Sequence, residues 1–156
     1  GADQRNLSAM AENQSGEVQT MEVLLDSTLE SVDEAESIVL RIAGEAGVEE
    51  DDLHALGMAV REAAVNAVVH GNRYNARKKV HLNVSRTPDQ LSITIGDEGE
   101  GFEQKSIPDP LAPDNLLRQS GRGLLLIRAF VDEFELRPRQ PRGTEVRLVK
   151  YLAKAS

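Results

Sequence analysis

The chain has 156 residues, enough for one domain with a substantial core. It is 40% hydrophobic and 28% charged but only 3% aromatic, with no Trp, so its core must rest on Leu, Val, Ile and Ala. A net charge of −8 disfavours direct nucleic-acid binding, the absence of Cys excludes disulfides, thiolate metal sites and a Cys nucleophile, and no apolar run approaches the roughly 18 residues of a membrane span. A reducing cytoplasm fits this usage.

Residues 1–19 are polar and aperiodic and read as a flexible tail, leaving 20–156 as a single domain. Met21, Val23 and Leu25 alternate as a strand would. Ser31 and Glu34 have capping-box spacing, and Val32, Ala35, Ile38, Val39, Ile42, Ala43 and Ala46 follow at helical spacing up to Gly47. Asp51 or Asp52 is placed to cap a second helix running to about His70, with Gly71-Asn72 ending it. Val80, Leu82 and Val84, then Leu91, Ile93 and Ile95, alternate around a Thr87-Pro88-Asp89 turn and predict a hairpin. Residues 98–122 hold Pro108, Pro110 and Pro113 among glycines and have the length of a functional lid. A short apolar helix from Gly123 to Val131 follows, then strands near 133–137 and 144–151 joined around Pro141-Arg142-Gly143. Helices and strands do not strictly alternate, so the expected class is α+β: a two-layer sandwich with a mostly antiparallel sheet covered on one face by helices.

Glu62, Asn66 and His70 are four apart and form one polar file along an otherwise apolar helix. That file suits a solvated face or satisfied core groups, and equally a metal–phosphate site. In the latter, Asn66 offers an oxygen to Mg²⁺ and Glu62 takes a proton from an attacking hydroxyl. Asp97, at a strand end before Gly99 and Gly101, suits a plain turn or an acceptor for an exocyclic amine such as adenine N6. Phe102 is a core ring or one packed near a base. Gly121-Arg122-Gly123 leads into a helix, which suits a glycine cap or an anion site, with Arg122 facing a terminal phosphate. Thr144 is a turn residue or a hydroxyl partner for the base. Neither a P-loop nor a dinucleotide fingerprint is present, and His54, His70 and His81 lack metal-ligand spacing, which leaves His70 a structural role at the helix end.

Together these motifs resemble those of the GHKL ATPase superfamily. Glu62-Ala63-Ala64-Val65-Asn66 with His70-Gly71-Asn72 is similar to its N box. Asp97-Glu98-Gly99-Glu100-Gly101-Phe102 resembles the G1 box, Gly121-Arg122-Gly123-Leu124 the G2 box, and Gly143-Thr144 the late Gly-Thr element. The compact chain, the Arg61–Asn72 segment and the short loop at Ser120–Leu124 look most like the anti-sigma-factor serine kinases of sporulation and general stress control, over residues 20–152.

The resemblance implies a Bergerat-type ATP site with Mg²⁺. It assigns Glu62 as general base, Asn66 to Mg²⁺, Asp97 to adenine, Gly99, Gly101, Gly121 and Gly123 to the lid and phosphates, and Arg122 to the γ-phosphate. It further implies two protein partners: a sigma factor, and a small STAS-type antagonist phosphorylated on serine. Phosphorylation would add charge at that interface and repel an acidic partner. A homodimer is a further implication. Two other readings remain open: a nonenzymatic, nucleotide-responsive binding module, and a histidine-kinase-type ATPase domain. Residues 1–50 contain no His, so the latter would need a His-bearing protein elsewhere.

Overall fold

A computed structural model describes residues 18–100 and 123–152. Five strands form one sheet: β1 (Gln19–Leu25), β2 (Val80–Arg86), β3 (Gln90–Gly96), β4 (Glu133–Pro138) and β5 (Thr144–Tyr151). Their order is β1-β2-β3-β5-β4 and every neighbouring pair is antiparallel. Three helices join them: α1 (Glu30–Glu45), α2 (Glu50–Val65) and α3 (Gly123–Phe130). The α+β sandwich expected from the order of elements is therefore the one observed.

Alternation decides which sheet face the helices cover. Met21, Val23, Leu25, Leu82, Ile93 and Leu148 point inward and are buried. Their strand neighbours Glu22, Asn83 and Thr94 point the other way. α2 lies against both α1 and α3. Ala59, Ala63 and Ala64, all buried, keep its inner surface shallow enough for that close approach. Each large aliphatic side chain removed from water in this layer contributes about 1.5–3 kcal/mol. Among the described residues, no helix is long and apolar enough to cross a membrane.

Helix ends match the sequence reading at one terminus of α1 and depart from it at the other. Gly47 adopts φ +89, and Val48 N–H bonds back to Ala43 O at 3.1 Å, so a left-handed glycine does close α1. The capping box at Ser31 does not form. α1 starts earlier, with Leu29 at the cap position and no side-chain cap. Ser31 N–H bonds to Thr28 O and Val32 N–H to Leu29 O, both at 3.1 Å. Tight backbone bonds thus close the first turn ahead of the position a Ser31 cap requires, and Ser31 is buried within that turn. Neither Asp51 nor Asp52 caps α2. Glu49 holds that position with extended backbone and no side-chain bond. Glu50, Asp51 and Asp52 occupy the first turn, where carboxylates oppose the helix's positive end. The flexible tail expected over residues 1–19 falls outside the described residues up to residue 17, and Gln19 already belongs to β1.

Candidate functional site

At its C-terminal end α2 changes pitch. From Asn66 to Gly71 the backbone forms a π turn, with Asn72 N–H bonding to Ala67 O at 2.8 Å. Such widened turns cluster at functional sites. Glu62 and Asn66 are both half-buried, on the last α-helical turn and at the switch. The wider turn breaks the four-residue register beyond Asn66, and His70 is exposed rather than continuing the file. Asn66 Nδ2 is buried without a hydrogen-bond partner among the described residues. An amide left so is unusual, and interchanging its O and N would turn an oxygen to the same place.

The π turn delivers Gly71 and Asn72 to the end of the sheet. Asn72 is buried and bonds to three segments. Its Oδ1 accepts from Glu98 N–H at 2.8 Å, and its Nδ2 donates to Ser27 Oγ at 2.9 Å and Lys79 O at 3.0 Å. One side chain thereby ties the β1 exit, the β2 entry and the β3 exit to the end of α2. Sequence reasoning placed Asn72 inside a motif without giving it this role. Its three partners lie far apart in the chain, so no local pattern marks them.

Asp97 follows β3 directly and is 7% exposed. Its Oδ1 accepts from Gly99 N–H at 2.9 Å and Thr144 N–H at 3.2 Å, and its own N–H donates to Thr144 O at 2.9 Å. Burial pushes the carboxyl above its ordinary value; the two amides and the charges of Arg139 and Lys78 oppose this without cancelling it. The second oxygen, Oδ2, accepts from no described residue and lies beside Gly71. A Cβ at Gly71 would strike the Asp97 carboxyl, one at Gly99 the Gly71 carbonyl, and one at Gly143, which has φ +108, the Asp97 carbonyl. Gly71 and Gly143 are thus as necessary to this corner as Gly99. Only tertiary contact reveals it.

Of the residues expected in the site, Asp97, Gly99 and Thr144 meet directly, with Gly71 and Gly143 between them. Glu62 and Asn66 share the end of the helix that feeds Gly71. Gly123 and Leu124 open α3, which packs against α2. Gly101, Phe102, Gly121 and Arg122, with the expected lid, lie outside the described residues.

The donor set favours a particular kind of ligand. A buried carboxylate with one unclaimed oxygen suits an amine donor such as that of adenine. Among the described residues no group of three or more acidic, His or Cys side chains could hold a metal by itself. Mg²⁺ commonly takes one or two protein oxygens and completes its shell with phosphates and water. The unpartnered Asn66 amide fits that arrangement.

The family of histidine kinase-like ATPase domains matches residues 25–150. The serine-protein kinase RsbW of Staphylococcus epidermidis is 29% identical over 141 residues, 86% of this chain and 87% of that protein. The anti-sigma F factor of Bacillus subtilis (strain 168) is 32% identical over 109 residues, covering 67% of this chain and 73% of its own length. That of Bacillus thuringiensis (strain Al Hakam) is 33% identical over 110 residues, with 68% and 74% covered. A match running from the end of β1 almost to the end of β5 spans the sandwich and the corner around Asp97, and the chain belongs to the family of histidine kinase-like ATPase domains.

Proposed function

We propose that this protein is a cytoplasmic anti-sigma factor with protein-serine kinase activity. It holds a sigma factor and phosphorylates a serine of an antagonist protein. The observation that carries the nucleotide site is the buried Asp97 carboxylate, fixed through Oδ1 and with Oδ2 unclaimed among the described residues. Similarity to a serine-protein kinase over 86% of the chain supports the transfer to serine.

In this reading Asp97 Oδ2 accepts the adenine amine, and burial in a glycine-lined corner strengthens that bond. Thr144 borders the base. By the family resemblance Gly99, Gly101, Gly121, Gly123 and Leu124 serve the lid and phosphates, and Arg122 the γ-phosphate. Asn66 presents its side-chain oxygen to Mg²⁺. Bound Mg-ATP supplies an electrophilic γ-phosphoryl group with ADP as its leaving group. Glu62 accepts the proton of the incoming serine hydroxyl as that oxygen bonds to phosphorus, a role supported by its position one helical turn from Asn66.

The test is phosphoserine formation on the cognate antagonist with Mg-ATP. Glu62→Gln keeps the size of the side chain and loses the base, so the transfer rate falls about 10²-fold or more while Mg-ADP still binds. A Glu62→Gln protein that phosphorylates the antagonist at the parental rate would contradict the assignment. Absence of phosphoserine with the parental protein would favour a module that binds without turning over.

A further inference from the structure

Behind Asp97, on the sheet face that the helices leave uncovered, three cations converge. Lys78, Arg139 and Arg142 line one pocket with Glu98 and Pro141. Lys78 and Arg139 act on the Asp97 carboxyl by charge alone, and no described hydrogen bond joins the pocket's side chains to it. His81 pairs with Gly96 across β2 and β3, one position out of step with the inward-facing Leu82 and Ile95. The Arg139 side chain lies over Gly96, where a Cβ would come within 3.0 Å of its Cδ. Its guanidinium also lies against the His81 ring, with Nη2 3.1 Å from Nε2 and 3.3 Å from Nδ1. His81 Nε2 in turn bonds to Glu98 Oε2 at 2.6 Å. The His81 ring thus sits between the Glu98 carboxylate and the Arg139 guanidinium. Glycine at 96 therefore makes room for an arginine that its neighbours hold in place.

What sets this place apart is that three cations without a carboxylate partner among the described residues share one pocket. The whole protein carries −8; Arg61, Lys79, Arg137, Arg147 and Lys150 are each paired with carboxylates, and Arg41, Arg73, Arg77 and Arg86, which are not paired with a described residue, lie outside this pocket. Lys78, Arg139 and Arg142 form no ion pair with a described residue. Arg142 instead donates from Nε to Gly99 O at 3.3 Å, and Arg139 donates to Arg142 O at 3.1 Å. Glu98 is engaged by His81: burial resists its charge, but the hydrogen bond and charge of His81, the Lys79 amide and the charge of Arg139 together hold the carboxyl below its ordinary value. Three cations against one carboxylate leave a surplus of two positive charges around one pocket.

We propose that the pocket lined by Lys78, Arg139 and Arg142 binds a phosphate dianion, separately from the nucleotide corner. A dianion neutralises the surplus, and guanidinium groups match phosphate oxygens in geometry. Free phosphate and the phosphoryl of a phosphoserine segment both present that charge and those oxygens.

The test is a titration of the ¹⁵N-labelled full chain, saturated with Mg-ADP, with inorganic phosphate and with sodium chloride at matched ionic strength. Phosphate should move the amide signals around Lys78, Glu98 and 139–143 saturably, and chloride should not. Arg139→Gln should weaken the response about tenfold or more, because a charged hydrogen bond is lost, and Glu98→Gln should strengthen it. If Arg139→Gln disturbs the whole spectrum, Arg142→Gln and Lys78→Gln supply the same loss without altering the contact at Gly96. A phosphoserine peptide and its unphosphorylated twin separate the sources. Tighter binding of the phosphopeptide than of phosphate identifies a protein segment, and equal binding identifies the free ion. Equal responses to chloride, equal binding of the unphosphorylated peptide, or an unchanged response in all three cation variants would overturn the proposal. Asp97→Asn, titrated beside the parent with nucleotide left out of both, keeps the phosphate response, so failure of the nucleotide reading is distinguishable from failure of this one.

Discussion

The layer between sheet and helices and the corner around Asp97 obey opposite rules. In the layer, Leu82, Ile93 and Val60 are fully buried and gain from every contact. At the corner, three glycines crowd a buried carboxylate whose burial opposes its charge. The first region stabilises the fold and is indifferent to what the protein binds. The second gives up stability to keep one oxygen available and backbone close by. The proposed nucleotide corner lies at the rim, where the sheet ends and long-range hydrogen bonds replace aliphatic packing.

Substitutions sharpen the contrast. Leu82→Ala removes a fully buried side chain from the centre of the sheet and should cost about 2–5 kcal/mol. In a domain of this size that lowers Tm on the order of 10 °C, with nucleotide affinity close to parental where the variant is still folded. A large loss of affinity without a loss of Tm would break the division between the regions. Asn72→Ala strands the Glu98 amide and the Lys79 carbonyl, and should cost about 1–3 kcal/mol. It should weaken nucleotide binding as well, because it frees the chain on either side of Asp97. An Asn72→Ala protein that melts like the parent would show that the corner is held by other contacts.

Asp97→Asn should have the smallest effect on the unliganded protein, and with the opposite sign. The folded pKa of Asp97 lies above its ordinary 3.8, so its favourable contribution is complete only below that value and is lost as pH rises through the raised folded value. Near neutral pH the asparagine protein, which still accepts the Gly99 and Thr144 amides, should therefore melt at or above the parent. The two curves should converge in acid. A neutral-pH Tm well below the parent's would mean that the ionised carboxylate stabilises the fold.

Much of the sandwich was legible because strands and helices write their period into adjacent residues. Met21, Val23 and Leu25, the hairpin around Thr87-Pro88-Asp89 and the glycine exit at Gly47 all follow from local geometry. The cap at Ser31 was misplaced because backbone bonds at Thr28 and Leu29 compete with side-chain capping, and sequence spacing does not reveal which prevails. The π turn at Asn66 leaves no mark on hydrophobic spacing, so the extension of the polar file to His70 failed. Asp97, Gly99 and Thr144 were legible as motif residues. Their mutual hydrogen bonds, and the contribution of Gly71, Asn72 and Gly143, arise from segments distant in the chain, which no window of sequence brings together. The pocket at Lys78, Arg139 and Arg142 was illegible for the same reason.

The most direct test of the central claim is thermal melting of the parent and Asp97→Asn with and without Mg-ADP. At about 100 times Kd a ligand stabilises by roughly 2.7 kcal/mol, a rise on the order of 5–10 °C for a domain of this size. The account predicts that rise for the parent and none for Asp97→Asn, although the variant is folded and at least as stable alone. A rise of equal size in both proteins, or none in the parent, would contradict the placement of an adenine nucleotide at Asp97.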